Sequence, residues 1–261
     1  MRRETFDLTE HNARIFFNAQ LADWYSGQTL CAAETMILLR HRDAVLGKRV
    51  LDIGVGSGRT TRFLSPLAAR YTGIDLSPQM IARARQAFPA ARLLELDIRE
   101  LGKLADEKYD FIFAPWGVLD ALAPQDRIRA LARLSILMAP GGKFVLSSHN
   151  RGASTAGQPP ALVRSRRPVR AVLEVGHFLL ARWNFRRMRH LRVEEKEYAL
   201  YNDMAHGWQG VFYYISREAQ IAELARAGFR VTEVYGEDGR MIGPSDDVSP
   251  DGCLHYVAER L

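Results

Sequence analysis

Short apolar runs alternate with segments of helical periodicity from residue 48 of this chain onward. Runs with strand character occur at residues 49–53, 71–75, 92–97, 109–114 and 143–148. Helices are predicted between them at residues 59–68, 77–88 and 124–138, the last with apolar residues at 128, 131, 134 and 136 or 137. Strands that alternate with helices predict βαβ units and a mostly parallel sheet covered by helices on both faces.

A different pattern occupies residues 151–215, between the fifth predicted strand and the next helix. A connection rich in Gly, Ser and Pro comes first, and residues 168–191 then predict a helix that is both basic and apolar. Residues 193–200 and 210–215 are β-prone runs, which we expect to pair as a hairpin. We interpret this part of the chain as an α/β lid inserted into the main domain.

Regular α/β order resumes at residue 216. Ser216 is a typical N-cap and Gly228 a typical helix terminator, so we expect a helix between them, followed by strands at residues 229–235 and 254–259. This order divides the chain into three parts. They are an N-terminal helical cap at residues 1–45, a main domain at residues 46–150 and 216–261, and the lid at residues 151–215.

The composition is that of a globular protein, and it excludes several classes. The 261 residues are 47% hydrophobic and 25% charged. The chain has 2 cysteines, too few for a disulfide framework or a multi-cysteine zinc site, and no metal is predicted. No apolar run approaches the roughly 20 residues of a membrane-spanning helix, and residues 1–10 lack the apolar stretch of a secretion signal. We therefore expect a cytoplasmic protein.

The positive charge is concentrated in the lid. The net charge of the chain is +6, yet residues 164–192 alone contain nine arginines, no lysine and a single acid, Glu174. We therefore expect an anionic acceptor, partner or surface at the lid. Two interpretations of the helix at 168–191 stay open. Either its apolar stripe packs on the main domain, which we favour, or the helix makes peripheral contact with an anionic membrane surface.

Candidate chemistry begins at the glycine loop, residues 54–58, which follows the first strand and opens a helix. Its spacing is G-x-G-x-G, whereas a dinucleotide-binding loop of the G-x-G-x-x-G type needs a glycine where Arg59 stands. Glycines let the backbone approach a ligand closely, near the positive end of a helix. Asp75 and Asp97 end the next two strands, so one crevice at the carboxyl edge of the sheet collects all three features.

The glycine loop, the two acids and the Pro-Gly-Gly at residues 140–142 resemble the motif series of class I S-adenosylmethionine-dependent methyltransferases. The resemblance covers roughly residues 45–150 and 216–261. It implies a Rossmann-like, seven-stranded sheet of order 3-2-1-4-5-7-6 with strand 7 antiparallel, and S-adenosylmethionine as the cofactor.

The resemblance also implies roles for residues of the first two strand ends. The loop glycines, which are Gly54, Gly56 and Gly58, pass under the methionine part of the cofactor. Asp52 orients this loop from the end of the first strand. Asp75 accepts hydrogen bonds from the ribose hydroxyls, and Leu76 packs on the adenine.

Residues of the next two strand ends and of the N-terminal cap complete this implied cofactor site. Asp97 and Ile98 contact the adenine amine and ring. Ala114 and Trp116 line the methionine end, near the transferable methyl group. Residues 16–18 and 24–25 resemble the helix that covers the cofactor in this family, which makes Tyr25 a candidate for contact with the methionine carboxylate.

Methyl transfer from a sulfonium requires alignment of the reactants, and a general base only when the acceptor loses a proton. His149, directly after the fifth strand, is the candidate base, and the alternative is a loop histidine that caps backbone groups. In the lid, the candidates for acceptor contacts are Tyr201, His206, Tyr213 and Tyr214. The alternative is a hairpin that buries these rings against the sheet.

Three functions fit these features. We favour a methyltransferase that acts on an O or N atom of a small-molecule or glycan-type acceptor, because an aromatic lid follows the fifth strand. An RNA methyltransferase is the second; the subclass that methylates base amino groups would carry Asn/Asp-Pro-Pro-aromatic where residues 114–117 read Ala-Pro-Trp-Gly. The third is a cofactor-binding interaction protein without catalysis.

Overall fold

The structure is a computed structural model and describes residues 6–17, 25, 27–162 and 168–261. Its α-helices are α1 (Leu8–Ile15), α2 (Ala32–Arg40), α3 (Thr61–Leu64), α4 (Pro78–Ala87), α5 (Pro124–Leu137), α6 (Pro168–Arg187) and α7 (Arg217–Arg226). Its strands are β1 (Arg49–Ile53), β2 (Arg70–Asp75), β3 (Arg92–Glu95), β4 (Tyr109–Ala114), β5 (Met138–Asn150), β6 (Val193–Glu194), β7 (Tyr198–Asn202), β8 (Val211–Ile215), β9 (Phe229–Tyr235) and β10 (Cys253–Arg260). Short 3-10 helices lie at Arg42–Ala44, Ile98–Leu104, Val118–Ala121, Arg189–Leu191 and Ala205–Trp208.

The central sheet has the predicted α/β architecture and strand order. β3, β2, β1, β4 and β5 are parallel neighbours, and β10 pairs antiparallel with both β5 and β9. β9 and β10 take the places of the sixth and seventh strands, which confirms the order 3-2-1-4-5-7-6. Because β1 to β5 are parallel, their carboxyl ends meet at one edge of the sheet.

The lid adds a hairpin to this edge. β7 and β8 pair antiparallel, with Tyr198 opposite Ile215, as the predicted hairpin requires. The run at residues 193–200 is not one strand, however, because β6 turns back on β7 with Val193 opposite Leu200. At the end of β5, His149 pairs with Cys253 of β10 on one side and with Tyr214 of β8 on the other. β4 pairs with β5 only as far as Leu146, so β8 occupies the β4 side of β5 beyond the point where β4 ends. The hairpin therefore stands at the carboxyl edge of the sheet.

Two helices differ from their predicted form. The helix expected at residues 59–68 is reduced to α3, since Pro66 has no N–H with which to continue the hydrogen-bond ladder. In α5 the helical period is right and Leu131, Leu134 and Leu137 are buried, but the buried face does not include Ile128. Ile128 and Ile136 are about half exposed, whereas Arg127 is completely buried.

The sheet is buried on both faces, with alternate strand residues in different cores. In β4, Phe111 and Phe113 belong to one hydrophobic cluster, and Ile112 and Ala114 belong to the other. All four are fully buried. Such near-continuous apolar strands are typical of parallel sheets covered by helices.

The basic helix α6 does not pack as we expected. Its buried residues are Ala181 and Asn184, and its largest apolar residues are exposed instead. The expectation that its apolar stripe packs on the main domain is therefore wrong. Within the described ranges, no helix is both long and apolar enough to cross a membrane.

Arg127 joins four elements through one buried guanidinium. It donates to Asp120 in the 3-10 helix that follows β4 (2.6 Å), and to Glu223 (2.8 Å) and Gln220 (2.6 Å) of α7. Ser148 near the end of β5 donates to the same Asp120 oxygen at 2.7 Å. The Arg127 side chain is completely buried, and so is that of Asp120. Each charge in this cluster thus depends on its partners to offset the loss of water.

We expect Arg127→Met to lower the free energy of unfolding by about 3–5 kcal/mol, since it leaves buried carboxylates unpaired. Arg129→Met is the matched control on the same helix, because its salt bridge to Asp126 is 74% exposed at the arginine and should contribute about 0–1 kcal/mol. Urea unfolding followed by circular dichroism measures both. Equal losses in the two variants would contradict the role of burial.

Candidate functional site

A cavity of about 720 Å³ lies at the carboxyl edge of the sheet. Residues that end or follow five neighbouring parallel strands line it. In the spatial order of β3, β2, β1, β4 and β5 they are Asp97, Asp75, residues 54–57, Trp116 and His149. With adjacent strands about 4.8 Å apart, this row spans roughly 19 Å. The cavity is therefore elongated across the sheet, and its volume lies in the range of small-molecule sites, roughly 300–1,000 Å³.

Two positions of the glycine loop require glycine, each against a different neighbour. Gly54 has φ +71° and a Cβ there would collide with the side chain of Val118, which also lines the cavity. Gly58 has φ +97° and a Cβ there would collide with the ring of Phe88. Gly54 and Gly56 line the cavity, whereas Gly58 packs against α4 and does not. The last glycine thus serves helix packing rather than ligand contact.

Asp75 at the end of β2 is held by backbone N–H groups. Gly56 donates to one of its carboxylate oxygens and Ser77 to the other, each at 2.9 Å. Burial raises the pKa of Asp75, and these two hydrogen bonds oppose that rise. Each oxygen keeps further lone pairs, and the side chain lines the cavity beside Leu76. This arrangement suits a ligand with a pair of hydroxyl groups.

Asp97 and Ile98 line the cavity at the end of β3. Asp97 is fixed by its neighbour Arg99, whose backbone N–H donates at 2.8 Å and whose guanidinium donates at 2.7 and 2.9 Å. Ile98 is 8% exposed and begins the next 3-10 helix. A polar edge beside an apolar face is the surface that a heteroaromatic base requires.

Trp116, Arg59 and Tyr25 meet in the middle of the row. Trp116 has φ +54°, which is rare for a residue with a side chain. Its indole stacks on the guanidinium of Arg59 at 4.0 Å, and its ring centroid is 5.6 Å from that of Tyr25. Burial raises the pKa of Tyr25 to about 12, so its hydroxyl stays protonated and can donate a hydrogen bond.

Asp52 and Ala114, like Gly58, lie outside the cavity lining. Asp52 is completely buried under the loop, where Thr60 and Tyr71 donate to the same carboxylate oxygen at 2.6 and 2.7 Å. Burial raises its pKa to about 7, and these two hydrogen bonds oppose the rise. Ala114 is buried in the core on the other side of β4 from Phe113. Their contribution to a ligand site would be indirect. Asn18 and Trp24 of the predicted cap lie outside the described residues.

His149 is paired with a buried carboxylate. Its Nδ1 lies 2.7 Å from Asp120, which also accepts the backbone N–H of His149 at 2.8 Å. An ionised carboxylate only accepts, so Nδ1 is the protonated nitrogen and Nε2 is left to take a proton. Burial lowers the pKa of His149, but the hydrogen bond and charge of Asp120 outweigh it and raise the pKa overall.

A second carboxylate faces the same ring from the lid. Asp203 lies 3.5 Å from Nε2 of His149, and the hydroxyl of Tyr214 donates to Asp203 at 2.7 Å. The ring of Tyr214 packs on His149 with centroids 4.8 Å apart. The charge of Asp203 adds to the upward shift of the pKa of His149. Tyr214 thus contacts both His149 and Asp203 but does not line the cavity.

Consecutive strand residues point to opposite faces of a sheet, and this separates Tyr213 from Tyr214. Tyr213 faces away from Tyr214, stacks on Tyr198 and donates to Glu223 at 3.0 Å. Tyr201 donates to Glu194 at 2.9 Å and is 8% exposed. Both rings are buried in the hairpin, as the alternative interpretation expected. Of the four lid candidates, only His206 lines the cavity.

A thiol, an imidazole and a carboxylate also cluster beside the cavity. The ligand-type atoms of Cys31, Glu34 and His255 lie within 4.8 Å of one another. Both oxygens of Glu34 accept hydrogen bonds from Arg59, at 2.5 and 2.8 Å, which disfavours a cation there. Burial raises the pKa of Cys31 to about 11 and lowers that of His255 to about 4, so both groups are neutral near pH 7.

Comparison with known proteins assigns the central part of the chain. Residues 50–142 match the family model described as a methyltransferase domain. The chain is 31% identical over 162 residues to a trans-aconitate 2-methyltransferase of Methylobacterium nodulans, covering 55% of this chain and 60% of that protein. It is 29% identical over 119 residues to a ubiquinone biosynthesis O-methyltransferase of Idiomarina loihiensis, covering 44% and 48%. The chain thus spans about half of the length of these relatives.

The fold is also that of solved methyltransferases. An amino pentose methyltransferase of Micromonospora echinaspora, bound to S-adenosylmethionine, covers 93% of this chain and 96% of its own, with a TM-score of 0.56 and 20% identity. Residues 50–142 of the chain thus match a methyltransferase domain. Domains of this class use S-adenosylmethionine as their cofactor.

Several residues of the methyltransferase domain escaped the sequence analysis. Asp120 gave a weak signal, as an acid shortly after the fourth strand, but nothing in the sequence pairs it with His149. Arg59 was noted only because it is not a glycine. Phe212, Cys253 and His255 line the cavity because a lid strand and the last strand meet β5, a long-range pairing that no local pattern shows.

We expect Asp120→Asn to lower the pKa of His149, because it removes the charge and acceptor that favour the protonated ring. Asp203→Asn should lower it as well without touching the Arg127 cluster. Asp126→Asn, at an acid that pairs with Arg129 outside the cavity lining, should leave it unchanged. Titration of the histidine Cε1 proton by NMR measures all three. An unchanged pKa in both of the first two variants would refute the pairing.

Proposed function

We propose that this chain is an S-adenosylmethionine-dependent methyltransferase that acts on an O or N atom of a small-molecule or glycan-type acceptor. One observation carries the proposal. A single cavity joins the glycine loop and Asp75 with a histidine that is paired to a buried carboxylate. The row of strand ends gives it room for a nucleoside at one end and an acceptor at the other.

The residues present fit the cofactor. Asp75 offers carboxylate lone pairs to a ribose diol, while Asp97, Ile98 and Leu76 offer a polar edge and apolar surface to an adenine. At the middle of the row, the guanidinium of Arg59 and the hydroxyl of Tyr25 can donate to a carboxylate. When bound, S-adenosylmethionine supplies a methyl group activated by a positive sulfur.

The chain's own residues supply alignment and proton removal. Trp116, held by its left-handed backbone and by Arg59, forms the wall between the two ends of the cavity. His149 lies beyond it and can take the acceptor's proton on Nε2, while Asp120 stabilises the imidazolium that results. A base in this position favours an acceptor that must lose a proton, such as a hydroxyl.

The charge of the lining favours a neutral or cationic acceptor over an anionic one. Arg59 is the one Lys or Arg among the described residues of the lining, and Glu34 neutralises it. Glu237 lines the cavity near Cys253, and Asp203 lies 3.5 Å from Nε2 of His149. The described arginines of the lid therefore do not line the cavity, contrary to one expectation from the sequence.

The methyl acceptor separates the remaining functions. The relatives named above include proteins whose names refer to trans-aconitate and to ubiquinone biosynthesis, which supports a small-molecule acceptor. Incubation with methyl-labelled S-adenosylmethionine, and with either a metabolite extract or total RNA, distinguishes this function from RNA methylation. Binding of the cofactor with no transfer to either would favour an interaction protein.

We expect Asp75→Asn to weaken the binding of S-adenosylmethionine by about 10- to 100-fold, since hydrogen bonds to a charged group contribute about 1.5–3 kcal/mol. Glu95→Gln is the control, because Glu95 pairs with Asp75 in the sheet register but lies outside the cavity lining. Isothermal titration calorimetry measures both. A folded wild-type protein that does not bind the cofactor at high micromolar concentration would sink the proposed function.

We expect His149→Gln to retain cofactor affinity but to lose methyl transfer to the metabolite extract by about 100-fold or more, the usual contribution of a general base. In the wild type, transfer should rise with pH and reach half its maximum above the ordinary histidine value of about 6.5, because only neutral His149 accepts a proton. His190→Gln, an exposed lid histidine, is the control. Full turnover in His149→Gln would remove the base from the proposal.

A further inference from the structure

We propose that the outer face of α6 docks on the surface of an anionic lipid bilayer. The proposal rests on the shape and charge of this helix and not on the proposed methyl transfer. Three observations carry it: which residues of α6 are exposed, where they lie around the helix, and which charges flank them.

The exposed residues of α6 are unusually large and apolar. Six of them are between 43% and 73% exposed, and they are Val172, Leu173, Val175, Leu179, Leu180 and Trp183. Elsewhere in the described chain, exposed large apolar residues occur singly or in small groups. A concentrated apolar surface of this kind on one element marks an interaction site.

These six residues form one continuous face. At 3.6 residues per turn they fall within an arc of roughly 160° around the helix axis. The buried residues of α6, Ala181 and Asn184, lie outside this arc. The side that holds α6 to the protein is thus distinct from the apolar side, and the apolar side faces outward.

The charges at the C-terminal end of this face are positive in the described part of the helix. Arg182, Arg186, Arg187 and Arg189 are exposed, and the guanidinium of Arg187 lies 5.2 Å from the ring centroid of Trp183. The acid of the helix, Glu174, lies on the other side of the helix axis and is half-buried. Arginine stems lie along apolar surface while their heads reach polar groups, and tryptophan favours the boundary between apolar and wet regions.

An anionic bilayer surface complements both properties at once. A helix with an apolar face and flanking cations lies in the plane of the headgroups, where apolar burial and attraction to anionic lipid add. A protein partner would need a hydrophobic groove rimmed by acids. A second copy of α6 would bring arginine against arginine, which opposes self-association.

The attachment of α6 links this surface to the cavity. Asn184 donates to the carbonyl of Gly207 at 2.8 Å, and Asn202 donates to that of Phe185 at 3.4 Å. Gly207 follows His206, which lines the cavity. The lid loop that borders the acceptor end is therefore fixed directly to the proposed docking helix.

Flotation of the full chain with vesicles tests the proposal. Wild type should float with vesicles of equal parts phosphatidylglycerol and phosphatidylcholine, and much less with phosphatidylcholine alone. Trp183→Ser and Leu179→Ser should each reduce the bound fraction, with an affinity loss of about tenfold or more. Leu39→Ser, an equally exposed leucine at 68% on α2, should float like wild type.

Charge variants and self-association complete the test. Arg186→Gln together with Arg187→Gln should weaken flotation and its sensitivity to salt, whereas Arg133→Gln on α5 should change neither. Wild type that fails to float with anionic vesicles would overturn the proposal. It would also be overturned if light scattering showed a dimer that Leu179→Ser dissociates, since the face would then be covered by a second copy. Binding of S-adenosylmethionine is unaffected by either result, so this proposal and the proposed function fail separately.

Discussion

The buried guanidinium of Arg127 is the interaction on which the geometry of the site depends. It draws Asp120, Glu223 and Gln220 together in the interior, and Asp120 in turn holds both the backbone and the ring of His149. An isolated buried charge is costly, so the cluster is stable only when every member is present. His149 is therefore positioned by α5 and α7 as much as by the strand that carries it.

This arrangement explains how a histidine at a sheet edge acquires a raised pKa. The ring is 17% exposed, and burial alone would favour its neutral form. Asp120 remains an effective partner because Arg127 and Ser148 stabilise its negative charge. Asp203 reaches the ring from the lid, so the position of the lid and the pKa of His149 are physically connected.

Local patterns predicted the central fold well because each parallel strand and each helix has a characteristic hydrophobic pattern within a short segment. The strand order was inferred from the family resemblance. Asp75, Asp97 and the loop glycines each follow a predicted strand, and the ends of parallel strands meet at one edge of the sheet. The failures were of another kind. In α5, the apolar period includes Ile128, yet Arg127 is buried instead, against Glu223 and Gln220 of α7, more than 90 residues away. No periodicity encodes that choice.

The predictions for the lid residues failed for the same reason, because long-range pairing decides which lid residues face the site. Aromatic residues at 213 and 214 looked equivalent, but consecutive strand residues point to opposite faces, and only the pairing of β8 with the end of β5 decides which face meets His149.

The charge of the lid was likewise ambiguous until its geometry was known. Arginines that bind an acceptor would have to line the cavity, whereas the exposed arginines of α6 lie beside an apolar face that is exposed to solvent. The positive charge of α6 therefore bears on the proposed docking surface, and the acidic residues of the cavity lining bear on the proposed acceptor.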